Sequence, residues 1–242
     1  MRKRIEAGTD IAMIGVWDPA HERPDLKTAR SADFEAGLET EARAGRLFYV
    51  QLWSDGSYDI DLYVDEEPPL DDLQIYTPSE REFLISSQSG RLMADGIEYF
   101  VSESNQGTSD DDPFQITVAP GMYALRVYQL QSEELDDRIP NYVDHEDLAY
   151  YDSKFGGVPW GCLLFLIAAG LSLTSYWIAS VGLFVVWLGY LSVRSILRRA
   201  DVRFQEIADR VEAVYDRFPA FIFVLRRITE RGNLEGGWYD LN

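Results

Sequence analysis

The chain has 242 residues, 46% hydrophobic and 13% aromatic, with 41 acidic against 22 basic side chains and a formal net charge of -19. Its length allows one ordinary domain with room for a further segment, and its acidity excludes nucleic acid as the main ligand, since phosphate binding needs a basic face. A single cysteine, Cys162, excludes an intrachain disulfide framework or a cysteine-built zinc cluster.

The charge is unevenly placed. Residues 1–157 hold 33 Asp and Glu against 13 Lys and Arg, whereas residues 158–242 hold 8 against 9. An acidic body suits solubility, calcium or a basic protein partner. A salt-adapted proteome is a second source of the same acidity, because only three lysines stand beside nineteen arginines.

In chain order, MRKRIEAGTDIAMIG opens basic but has no apolar run of useful length before Asp18, so no secretory signal is expected. Strands are expected over 11–17, 38–43 and 46–53. In the next, Tyr58, Ile60, Leu62 and Val64 alternate with Asp59, Asp61 and Tyr63, the pattern of a strand with one wet face. Asp55-Gly56 has the turn chemistry to join 46–53 and 58–64 as a hairpin. Further strands are expected over 73–77, 82–86, 91–94, 97–101, 114–118 and 122–130. Between them fall the turn signals Glu67-Pro68-Pro69, Ser89-Gly90, Asp95-Gly96 and Pro120-Gly121. Segments 20–35, 104–113 and 131–157 are polar and read as loops. Residues 1–130 therefore read as an acidic β-rich domain, a sandwich or barrel, followed by a polar linker over 131–157.

Phe155 to Val193 contains no charged side chain. One helix of that length would run nearly twice the thickness of a bilayer core, so the stretch reads as a two-helix transmembrane hairpin over 158–197. Arg194, Arg198 and Arg199 follow it at once, which places both ends in the cytoplasm and the protein in the inner membrane. Trp160, Tyr176 and Trp177 are placed like interfacial aromatics. Lipid would be one partner, and pairing of hairpins would build a homo-oligomer. Over 198–242 the pattern continues as an amphipathic helix, with Val202, Phe204, Ile207, Val211 and Val214 at helical spacing before Pro219. Phe221 to Ile228 then reads as a strand that returns to the acidic domain.

The densest constellation is Asp55, Asp59, Asp61, Asp65, Glu66 and Glu67. Asp55, Asp59, Asp61 and Glu66 fall at positions of a calcium loop, but Ile60 stands where that loop needs glycine, and the flanks read as strands. A solvated strand face explains these carboxylates without a metal. With Tyr63 among them, Asp59, Asp61, Asp65, Glu66 and Glu67 form the expected partner-binding surface. His21 and His145 lack a second ligand at metalloprotease spacing, and no GxSxG or P-loop occurs. No enzymatic activity and no cofactor is expected.

The run from Ile116 to Tyr128, a strand, a Pro-Gly turn and a Tyr-x-Leu-x-Val strand, is similar to a hairpin in the β-sandwich immunity and nuclease-inhibitor proteins of the competence protein J type. With the segment from Gly96 to Val101 included, that resemblance implies a β-sandwich whose task is binding. Those families are soluble, so the hairpin expected over 158–197 departs from them, and no functional residue is carried over. The expected function is a non-enzymatic, membrane-tethered protein-binding module of toxin-immunity type. A membrane sensor-effector whose hairpins assemble on ligand binding, and a structural subunit of a membrane complex, are the alternatives.

Overall fold

The computed structural model describes residues 1–102, 112–155 and 201–241. The chain divides into two units, Met1–Ser132 with Phe218–Asn242, and Glu133–Arg217.

The first unit holds eleven strands in two sheets among its described residues. One sheet has the order β1 (Arg2–Thr9), β4 (Gly56–Val64), β10 (Phe221–Ile228), β9 (Gly121–Leu130) and β5 (Tyr76–Pro78), with β6 (Phe83–Ser87) also paired to β9. The other runs β11 (Trp238–Asp240), β3 (Leu47–Gln51), β2 (Met13–Trp17), β7 (Arg91–Gly96) and β8 (Gln115–Thr117). Both sheets are mixed. Their parallel pairs, β10 with β4 and β11 with β3, are made by strands from the end of the chain. All other pairs are antiparallel.

Period-2 alternation explains the packing between the sheets. Ile60 and Leu62 of β4, Leu125 and Val127 of β9, and Phe221, Phe223 and Leu225 of β10 share one core with Ile14, Val16, Phe48, Val50, Leu92 and Ala94 of the opposite sheet. The Phe48 ring crosses the interface, 5.0 Å from Phe83 and 5.7 Å from Phe223. Each buried Val, Leu, Ile or Phe among them contributes about 1.5–3 kcal/mol relative to exposure.

A second cluster joins Leu38 and Ala42 of α1 (Ser31–Arg43) and Ile97 and Phe100 of α2 (Ile97–Phe100) to Trp17, Leu47, Tyr49 and Met93. The sequence expectation of strands over 38–43 and 97–101 is therefore corrected. Leu38 and Ala42 are four apart, and Ile97, Phe100 and Val101 recur at i, i+3 and i+4, so each set meets one apolar surface only as a helix. Glu41 is buried in α1 and held between the guanidinium groups of Arg23 and Arg46.

Both expected hairpins are also corrected. Strand β3 lies in one sheet and β4 in the other, and the same holds for β8 and β9. The Asp55-Gly56 and Pro120-Gly121 turns carry the chain between layers rather than back along one sheet. At the second crossing Gly121 takes φ 154°, a conformation that a side chain would strain.

In the second unit, α3 (Ser132–Asp136, whose first residue belongs to the other unit) and α4 (His145–Phe155) replace the loop expected over 131–157. Helix α5 (Val202–Arg217) buries Phe204, Ile207, Val211 and Val214. Tyr151 of α4 stacks on Phe204 at 5.1 Å, and Asp147 pairs with Arg203 at 2.8 Å and Arg210 at 2.6 Å.

The transmembrane hairpin read over 158–197 lies outside the described residues, as do its interfacial residues Trp160, Tyr176, Trp177, Arg194, Arg198 and Arg199. Among the described residues no helix is long and apolar enough to cross a membrane. The inner-membrane assignment and the fold class built on it are corrected accordingly. The described architecture is a pair of mixed sheets with helices, accompanied by a helical unit.

Candidate functional site

Strand β4 explains what becomes of the carboxylate run. At about 3.3 Å per residue its nine residues span about 30 Å, so Asp55 at one end and Glu66 at the other cannot share an ion. Asp59 and Asp61 lie between them, opposite Glu6 and Arg4 of β1. Asp61 is only 2% exposed and its oxygens are taken up by Arg2 at 2.6 Å and by Arg4 at 2.8 and 3.0 Å. This bidentate grip raises the Arg4 guanidinium pKa, mainly through the hydrogen bond to Asp61. Tyr63 is buried too, with Arg2 5.6 Å above its ring. Among the described residues no group of three or more His, Cys, Asp or Glu side chains could hold a metal ion. The calcium reading of Asp55, Asp59, Asp61 and Glu66 therefore has no geometry behind it.

Asp65, Glu66 and Glu67 are exposed just past the end of β4. Asp65 takes φ 52°, which aspartate tolerates better than most residues, and its carboxylate accepts the backbone N–H of Arg227 at 2.7 Å. Glu66 pairs with the Met1 amine at 2.6 Å. Two of these three carboxylates thus fasten β4 to neighbouring backbone. Glu67 remains as an exposed acid beside them.

A different set of side chains meets at the opposite end of the sheets. Three segments converge there: the β1–β2 turn over 10–12, the β3–β4 crossing over 52–55, and α2. The Glu98 carboxylate accepts the Asp10 N–H at 2.8 Å and the Thr9 hydroxyl at 3.2 Å, while Thr9 Oγ1 accepts the N–H groups of Ile11 and Met13. The Leu52 N–H donates to the Ala12 carbonyl at 2.8 Å, and the Tyr58 hydroxyl donates to the Ser54 carbonyl at 2.8 Å. These bonds fix the segments against one another.

Large apolar side chains nevertheless face water on this framework: Trp53 is 74% exposed, Tyr99 45% and Ile11 38%. Beside them a cleft of about 430 Å³ is lined by Asp10, Asp55, Ser57, Glu98 and Tyr99. The arrangement offers flat aromatic area edged with carboxylates on a backbone already held in place. Sequence reading placed Trp53 and Tyr99 in strands. The available signal was local, an aromatic set directly against the turn residues Ser54-Asp55-Gly56.

No protein-family model matches the sequence, and no curated protein matches it. Two solved structures are similar. Crocagin biosynthetic gene J is 17% identical, with 55% of this chain and 81% of that chain covered at a TM-score of 0.37. ComJ from Bacillus subtilis, described as an inhibitor of the DNA-degrading activity of NucA, is 10% identical, with 55% and 84% covered at a TM-score of 0.33. The chain therefore bears a weak resemblance to ComJ-like proteins.

Proposed function

We propose that the protein is a non-enzymatic binding module that docks a basic protein partner on the surface formed by Ile11, Trp53 and Tyr99 with Asp10 and Asp55. The exposure of Trp53 carries this reading. An indole that is 74% exposed forfeits burial worth kilocalories, and it projects from a loop hydrogen-bonded on either side of it, at Leu52 and at Ser54. Tryptophan and tyrosine on such a framework have the composition of an interface anchor, because they bring large area at small entropic cost.

The surrounding acids set the sign of the partner. A net charge of -19 steers a basic protein toward the molecule, and the local carboxylates orient it on arrival. An inhibitory or immunity-type role is the form of this function that such steering serves best, since fast capture of a basic enzyme protects before damage is done.

Site-specific photocrosslinking tests the reading. A photoreactive amino acid replaces Trp53 in the full chain, and Leu70, 81% exposed, carries it as the control. The expected result is one basic protein crosslinked from Trp53 and not from Leu70. Crosslinking equal at the two positions, or an acidic partner, would count against it.

A further inference from the structure

A row of open strand edges is a liability that proteins blunt with charge, proline or cover. Here β1 carries Arg2, Lys3, Arg4 and Glu6, β5 ends in Pro78, and β8 runs between Pro113 and Pro120. The free side of β6 is occupied, since the Leu84 and Ser86 N–H groups donate to the Glu235 and Gly45 carbonyls at 2.9 and 2.8 Å. Strand β11 is a short edge whose single charge is the exposed carboxylate of Asp240. It pairs only with β3 among the described residues, and its sequence Trp238-Tyr239-Asp240 contains neither proline nor a basic residue.

The strand is also held firmly. Trp238 stacks on Tyr49 with ring centroids 5.7 Å apart and planes 6° from parallel, and the Tyr239 hydroxyl donates to Gln129 Oε1 at 3.3 Å. Beside it opens a cleft of about 650 Å³, bounded by β11 on one sheet and by β5 and Gln129 on the other. Two exposed carboxylates, Glu80 and Asp240, line that cleft together with one cation, Arg81, whose guanidinium lies over the Phe83 ring at 4.9 Å.

We infer that the outer edge of β11 is a strand-addition site for an extended peptide segment that bears basic side chains. Backbone pairing along Trp238–Asp240 supplies affinity, and Glu80 with Asp240 selects lysine or arginine at the positions facing the cleft. This site is separate from the surface around Trp53 and does not depend on it.

The probe is a short acetylated peptide alternating lysine and valine, with one alternating glutamate and valine as its counterpart. The readout is amide hydrogen exchange of the segment carrying Trp238–Asp240 in the full chain. The lysine peptide is expected to slow exchange there severalfold, less so in high salt, and the glutamate peptide to leave it unchanged. The double variant Glu80→Lys with Asp240→Lys changes only exposed side chains and is expected to reverse that preference by about tenfold. Unchanged exchange with the lysine peptide, or protection that ignores the double variant, would overturn the inference.

Discussion

Asp95 sits at the end of β7 and accepts the Gly8 N–H at 3.2 Å and the Gly96 N–H at 2.8 Å, which ties β7 to β1 across the layers. Burial raises its pKa from 3.8 to about 6, with Glu98 and Asp112 adding to the rise against the two backbone hydrogen bonds. The folded state then holds this proton more tightly than the unfolded state. The group's stabilising contribution is therefore complete below about pH 3.8 and lost as pH rises through about 6. Asparagine keeps the acceptor without the charge. Asp95→Asn is expected to exceed the parent in stability by about 1–3 kcal/mol near neutral pH, with the gap closing in acid, as read from urea midpoints along a pH series. Gly236 poses a steric case. A Cβ there would lie 1.9 Å from the Ala42 carbonyl oxygen, so Gly236→Ala should lower the urea midpoint by an amount equivalent to about 1–3 kcal/mol. Asp61 shows why residue type alone misled. Its alternation with Ile60 and Leu62 put it on the other face from the core, but nothing in the sequence announced that Arg2 and Arg4 would claim it from a strand some sixty residues earlier.

Elements were legible where periodicity was strong. The alternation over 58–64 and the apolar run over 221–228 are strands in the structure, and the helical spacing from Val202 to Val214 is a helix. The structure sets β10 between β4 and β9, so Phe223 lies at the middle of the shared core and is fully buried. Phe223→Ala should therefore cost about 3–5 kcal/mol, measured by chemical denaturation. Connections were far less legible. Asp-Gly and Pro-Gly permit a sharp change of direction whether the next strand pairs alongside or crosses to the facing sheet. That choice is decided by which core the strand's apolar face joins, a long-range fact absent from the turn itself. Short apolar sets were ambiguous for a related reason. Over 38–43 and 97–101 too few residues stand in each run to separate period 2 from period 3.6.

At the scale of the whole molecule, the excess of negative charge and the strongly exposed Trp53 have different duties in the proposed interface. Charge acts at long range and governs how often partners meet; buried aromatic area acts after contact and governs how long they stay. The acidity was plain in the composition, whereas the surface it serves was not, because Ile11, Trp53 and Tyr99 come from three separate segments brought to one end by the sheets. The most direct test is the kinetics of binding to the partner identified by crosslinking, measured across a range of salt for the parent chain, Trp53→Ala and the pair Asp10→Asn with Asp55→Asn. The account predicts that Trp53→Ala raises the dissociation rate by about tenfold or more with little change in association. It predicts that the carboxylate pair slows association and flattens its dependence on salt. Dissociation unchanged by loss of Trp53, together with association insensitive to salt, would contradict it.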